Sequence, residues 1–280
     1  MEDNYYNYDD FDYEKYYPDF SSDPAFVACR DSLIRFFRRK QTPFYLTQLE
    51  VLLEKQYFHW ITYRAITSLV SDGYLKEYRL TTKYGSPVIF VVRSSSANEG
   101  REKLISTHIK SKIKLIESIS DPHFTNIIGK HLQFLVKAEL RANGFTITSW
   151  DSNEFQGRKW TKTGHDLDFI ATHQRGFAIG VEVKNTLPYI PKAEFDVKLE
   201  MCKYLRLKPI FAVRWMPKSY IYEAYKNGGF GWLFEYQAYP IGFDAMCRKV
   251  NKSFGVPVKV MPELAPDAQA RFSNWVKKEK

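Results

Sequence analysis

The stretch from Asp166 to Asn185 restricts the fold more than any other part of the chain, because it alternates on both sides of a glycine-bearing turn. Read at a period of two, Leu167, Phe169, Ala171, Phe177, Ile179, Val181 and Val183 make one apolar face. Asp166, Asp168, Ile170, Thr172, Ala178, Gly180, Glu182 and Lys184 make the other. Gln174-Arg175-Gly176 between the halves suits a three-residue hairpin loop, with glycine at its left-handed last position. That loop pairs His173 with Phe177. The same register sets Asp168 opposite Glu182 and Asp166 opposite Lys184.

Facing carboxylates repel across a sheet and ask for a cation between them. Oxygen ligands of this kind suit a hard divalent ion such as Mg²⁺, with Mn²⁺ able to substitute, and Mg²⁺ keeps several waters and meets phosphates. Lys184, two residues beyond Glu182 on the same face, brings a positive charge beside such an ion. Together these residues make a site for metal-assisted attack of water on a phosphodiester. The plainer alternative is a solvated strand face on which Asp166 and Lys184 form an ordinary cross-strand ion pair.

Charge points the same way. The chain carries a net +9, but its first 24 residues hold eight acids against Lys15 alone, a balance of −7 that leaves +16 for the remainder. A body so basic suits nucleic acid as a partner, although surface Lys and Arg also simply keep proteins soluble. The acidic opening residues are no secretory leader, and no run reaches the roughly 18 apolar residues of a membrane span. Cys29, Cys202 and Cys247 are isolated, forming neither a CxxC pair nor a disulfide framework, which suits a reducing cytoplasm and gives no structural zinc.

Residues 1–23 form a tail rich in Asp and Tyr without helical or strand period, expected to be mobile. It is either a solubilising or partner-binding segment or a mimic of nucleic acid. Residues 24–95 read as three helices and a hairpin: 24–40, a short one around Leu46–Leu53, a third carrying Ile61, Ala65, Ile66, Leu69 and Val70, then strands 74–81 and 87–92. This order, with the run Ile61-x-x-x-Ala65-Ile66-x-x-Leu69-x-x-x-Gly73-x-Leu75, resembles a winged-helix domain. The resemblance implies DNA contact by His59, Thr62, Tyr63 and Arg64 on the third helix and by Lys83 and Tyr84 at the wing tip. Winged helices also serve in protein contact or dimerisation. Residues 96–123 read as a basic linker helix with Leu104, Ile105, Ile109, Ile113 and Ile116 inward and Lys103, Lys110, Lys112 and Lys114 largely outward, open to phosphate contact.

From 124 to 280 the pattern is helix, strand, hairpin, helix, strand. A helix opens at Ile127-Ile128-Gly129, Phe145–Trp150 is a strand, 158–164 a basic turn, and 192–205 a helix leading to a buried strand at 209–215. Helix 219–226, an outer strand over 231–239, and helix, strand and helix over 244–254, 256–260 and 265–278 complete it. Asp168-Phe169-Ile170-Ala171, the glycine turn, and Gly180-Val181-Glu182-Val183-Lys184-Asn185 resemble the PD-(D/E)XK core of restriction-endonuclease-like nucleases. Holliday-junction resolvase and Mrr-type members are nearest in pattern. The resemblance covers roughly residues 125–262. It implies an α/β fold, a restriction-endonuclease-like mixed sheet flanked by helices, preceded here by the small winged-helix (α+β) domain.

It also implies a Mg²⁺-dependent endodeoxyribonuclease in which Asp168, Glu182 and the backbone carbonyl of Val183 hold the metal and Lys184 orients water. Many relatives carry Glu on the opening helix where this chain has Gln133, which positions a water instead, with Asp166 paired to Lys184 behind it. Lys198 matches a basic or amide position on the helix after the Glu-x-Lys strand. Arg158, Lys159 and Lys162 precede the site, either holding phosphates or forming a plain loop. His165 is read as a surface residue. A homodimer would suit paired strand cuts. No GxxxxGK[ST] loop is present, so no NTP is expected. A non-catalytic DNA clamp on a degenerate nuclease fold, favoured by Gln133, and an RNA-processing nuclease are the competing readings.

Overall fold

The computed structural model describes residues 22–94 and 100–279. The reading of the acidic tail lies outside them. The chain divides into two compact units, one of residues up to Asp121 with Ser253–Val256, the other of Pro122–Lys252 with Pro257 onward.

In the first unit, α1 (Pro24–Arg39) begins where the Asp23 carboxylate accepts the Ala25 N–H at 2.7 Å, and Arg38 and Arg39 close its last turn. Both ends thus complement the helix dipole. A two-residue strand, β1 (Phe44–Tyr45), leads into α2 (Leu46–Leu53) and α3 (His59–Ser71). Strands β2 (Leu75–Thr81) and β3 (Pro87–Arg93) then pair antiparallel, giving a sheet of order β1-β3-β2. The expected order of helices and hairpin is present, with β1 as an unforeseen third strand. Cys29, Leu33, Phe37, Leu49, Ile61, Ala65, Ile66, Leu69 and Val91 form its core.

The basic helix α4 (Glu102–Ile119) belongs to this unit and is not a free linker. Glu102 accepts hydrogen bonds from Lys76 and Tyr78 of β2. Glu117 accepts the Lys83 N–H at 2.9 Å. Lys112, expected outward, turns in: its Nζ donates to the Pro43 carbonyl at 2.6 Å, and burial pushes its pKa down to about 8. Leu104, expected inward, is exposed.

The second unit is built on a five-stranded mixed sheet of order β10-β9-β8-β7-β4. Here β4 is Phe145–Ser152, β7 Leu167–His173, β8 Ala178–Lys184, β9 Lys208–Val213 and β10 Phe230–Leu233. The first three run antiparallel; β8, β9 and β10 run parallel, so α6 (Lys192–Leu205) makes the crossover between β8 and β9. One sheet face packs on α5 (Pro122–Ala142) through Leu132, Leu135 and Val136 and on α9 (Pro266–Lys278) through Phe272 and Trp275. The other packs on α6 through Met201, Cys202 and Leu205. Cys29 and Cys202 are buried free thiols.

The hairpin turn is as the sequence dictates: Gly176 has φ 94° and its N–H donates to His173 O at 2.8 Å, while His173 N–H donates to Phe177 O. Gly180 is needed for close approach. A methyl group there would lie 2.7 Å from Cys202 Sγ and 2.8 Å from Leu167 Cδ1, so the side chains packed between the sheet and α6 would have to shift.

Four readings need correction. Leu167 packs with Trp160, Ile170 and Cys202 under α6, not with Phe169, so its face is the second one. Gly129 does not open a helix but sits within α5, which begins at Pro122. The strand expected over 231–239 is two: β10 in the main sheet, and β11 (Gln237–Tyr239) paired with β12 (Val258–Val260), the chain turning at Glu235 with φ 65°. The basic turn holds a short strand, β6 (Arg158–Lys159), paired with β5 (Glu154–Phe155). Helix α7 (Lys218–Lys226) and helix α8 (Asp244–Phe254) fall where expected. Among the described residues no helix is long and apolar enough to cross a membrane.

Candidate active site

Four elements of the second unit converge at the start of β7 and the end of β8. The pairs Phe169–Val181, Ile170–Gly180 and Ala171–Ile179 fix the expected register, and continuing it by one residue sets Asp168 against Glu182. Both Asp168 oxygens are engaged. Oδ1 accepts from Gln133 Nε2 of α5 at 3.0 Å, and Oδ2 accepts the Val183 N–H of β8 at 2.6 Å.

Glu182 is buried, and two lysines flank it. Lys198 Nζ of α6 lies 2.6 Å from its Oε2 and Lys184 Nζ 3.5 Å from its Oε1. The close Lys198 contact is an ion pair by distance but not by direction: Oε2 has no aligned hydrogen-bond donor. Lys198 also donates to the Asp166 carbonyl, and Lys184 forms its shorter ion pair, 2.8 Å, with Glu194 of α6.

The electrostatics follow from this crowding. Burial first and the Asp168 charge second raise the Glu182 carboxyl to about 7, against the pull of Lys198 and Lys184. Burial also raises Asp168, opposed by the Val183 N–H and the two lysines and reinforced by Asp151. Two carboxyls that resist ionisation beside each other are what a bound divalent cation would relieve. The buried Glu182 Oε2 and the all-oxygen donor set fit a hard ion. Among the described residues no group of three or more His, Cys, Asp or Glu is placed to hold a metal. The set therefore suits an ion that keeps most of its waters, as Mg²⁺ does, rather than one needing a full protein cage.

The residues singled out by sequence divide into three groups. Gln133, Asp168, Glu182, Val183, Lys184 and Lys198 come together. Asp166 is exposed just ahead of β7 and reaches the site through its carbonyl oxygen. The others lie apart from it. Arg158 Nη1 donates to Tyr204 O at 3.2 Å, Lys162 pairs with Glu200, and Lys159 is exposed on β6. His165 is half-buried, its Nδ1 3.0 Å from Thr163 Oγ1. Glu194 and Asp151 were missed. Glu194 stands one helical turn before Lys198, a spacing that brings both onto one face of α6. Asp151 lies one residue past the expected strand end and gave no signal.

In the first unit the expected DNA-reading face of α3 is largely turned inward. His59 is 4% exposed, 3.4 Å from Glu54, and Thr62 is fully buried, 3.8 Å from Cys29 Sγ. Thr62 lies beside Ile61, Ala65 and Ile66 on the stripe that faces α1, and His59 is one turn earlier. Tyr63 and Arg64 are half-buried. At the hairpin tip, Lys83 and Tyr84 are exposed, but the Tyr84 hydroxyl donates to Asp121.

No family model, curated protein or solved structure matches the chain.

Proposed function

We propose that the second unit is a divalent-metal-dependent DNA endonuclease of PD-(D/E)XK type. The single observation that carries this reading is the meeting of Asp168, Glu182 and Lys184 at one end of the β7–β8 hairpin, with Glu182 buried beside a second carboxylate. Asp168, Glu182 and the Val183 carbonyl would hold Mg²⁺. The bound ion would supply a water of lowered pKa and neutralise charge on the phosphate. Lys184 orients the attacking water and offsets negative charge developing on the phosphoryl oxygens. Glu194 holds the Lys184 ammonium in place at 2.8 Å. Gln133 fixes the Asp168 carboxylate from the α5 side. The winged-helix-like unit would present DNA through Tyr63 and Arg64, the two of the four expected α3 contacts that are left partly accessible.

A second reading is a DNA clamp without catalysis. What favours it is that Gln133 and the Val183 N–H already occupy both Asp168 oxygens, while Lys198 neutralises Glu182. The deciding test is incubation of plasmid, linear duplex, branched and single-stranded DNA with Mg²⁺ or Mn²⁺. Cutting that EDTA stops and that Asp168→Ala removes supports the nuclease. Binding without cutting of any substrate supports the clamp.

A further inference from the structure

Two large aromatic side chains stand exposed beside the candidate site. Trp150, on β4 at the edge of the main sheet, is 49% exposed, and Phe134, next to Gln133 on α5, is 62% exposed. Single exposed apolar residues need no explanation. These two are linked. Lys137 Nζ lies 4.6 Å from the Trp150 ring centroid. Phe134 and Lys137 are three residues apart on α5 and so are neighbours on its surface. Trp150 in turn packs edge-on, centroids 5.5 Å apart, against Phe169, the strand neighbour of Asp168. Lys137, on the same α5 surface as Phe134 and over the Trp150 ring, therefore joins the α5 side of the site to its β7 side.

We propose that Trp150, Lys137 and Phe134 form a stacking platform for an unpaired base of the strand entering the site. The inference rests on the nuclease reading and narrows its substrate to single-stranded or locally unpaired DNA. An exposed indole offers a flat apolar face to any base, but only to one already out of its stack. Lys137 and the exposed Lys130, one turn before Phe134, give the adjoining phosphates their counter-charge.

The test uses the full chain and fluorescein-labelled DNA: a single strand, an intact duplex, and the same duplex with an internal unpaired loop. Binding is measured in EDTA, where no metal-dependent cutting occurs, and cutting is measured separately with Mg²⁺. Trp150→Ala should weaken binding of the single strand and looped duplex about tenfold and change intact-duplex affinity less than twofold. Trp150→Leu, which retains apolar packing on Phe169, should lose as much as the alanine variant, and Trp150→Phe should recover most of it. A uniform loss on all three DNAs, no loss, or a leucine variant that binds like the parent would overturn the platform. If the parent protein cuts looped and intact duplex alike, and Trp150→Ala leaves that ratio unchanged, the platform fails while the nuclease stands. Selective loss of unpaired-DNA binding in a protein that cuts nothing keeps the platform and removes the nuclease.

Discussion

The β7–β8 hairpin and helix α3 were both read from periodic patterns, and they came out differently. In the hairpin, the turn at Gly176 fixes the pairs from Thr172–Ala178 out to Phe169–Val181, so Asp168 toward Glu182 follows by one further step. The alternation fails only beyond it, at Leu167. In α3, the pattern correctly located the buried stripe of Ile61, Ala65, Ile66 and Leu69 but not its width. Thr62 joined it because α1 packs across that side through Cys29 and Leu33, and His59 is buried 3.4 Å from Glu54. A strand has two faces, and alternation assigns each residue to one. A helix has a continuous circumference, and the number of neighbours decides how much of it is buried.

The largest expected effect tests the hairpin side of this contrast. Lys184→Ala should lower metal-dependent cutting of DNA about a thousandfold with an unchanged circular dichroism spectrum, because a positioned charge at the reacting phosphate is removed. If the variant cuts at a comparable rate, the register was legible but the chemistry assigned to it was not.

On the α3 side, Thr62→Arg should lower stability by about 3 kcal/mol, since it places a charge at a position with no exposure. Arg64→Ala, half-buried on the same helix, should weaken DNA binding several-fold with far less loss of stability. Urea denaturation and DNA titration of both variants check the pair. The reverse ranking would restore the outward-facing assignment of Thr62.

How much of the molecule the sequence made legible follows the same division. The bounds of α6 and α8 and the loop at Gln174–Gly176 were readable because periodicity and turn chemistry are local. The split of 231–239 into β10 and β11 was not, since both halves have strand composition and only the left-handed turn at Glu235 separates them. Lys112 was read outward from its charge, yet the Pro43 carbonyl that holds it inward is 69 residues away. At the site, the residues contributed by the hairpin itself were found, and Lys198 with them. Glu194 and Asp151 were missed because their relation to Lys184 and Asp168 is purely tertiary.

The buried carboxylates give a pH test of the assembled site. The Glu182 carboxyl has a usual value of 4.5 and is raised to about 7 in the fold. Between those values the folded chain binds more protons than the unfolded one. Its contribution to stability is therefore complete below about 4.5 and is lost as pH rises through about 7. Asp168 is raised too and acts with the same sign. In EDTA, Tm should fall by roughly 5 °C more between pH 5 and pH 8 in the parent protein than in Glu182→Gln. Equal slopes would mean that Glu182 is ionised freely and that no cation is needed to relieve it.

A smaller effect is expected at Gln133. Gln133→Glu sets a third negative charge beside Asp168, where the amide now donates at 3.0 Å. Without metal its Tm should drop by about 3 °C, from like-charge repulsion of about 1 kcal/mol. Added Mg²⁺ should restore it, and should do so at lower concentration than the parent requires for cutting. Loss of Tm that Mg²⁺ does not repair would show that position 133 does not face the ion.

The smallest effect concerns the hairpin tip, the part of the first unit whose exposure was read correctly. Lys83 is exposed there, 4.8 Å above the Tyr84 ring, but Glu117 and Asp121 approach the same tip. A lysine contacting a phosphate changes the slope of log affinity against log salt by about 0.9, because its neutralised phosphate releases a counterion. With two carboxylates competing for it, Lys83 should do less. Lys83→Ala is expected to change duplex affinity less than twofold and the salt slope by less than about 0.5. A slope change near 0.9 would show that DNA displaces the carboxylates and that the tip acts as a wing after all. In that case the first unit's DNA contact lies on its hairpin, and α3 serves to support it.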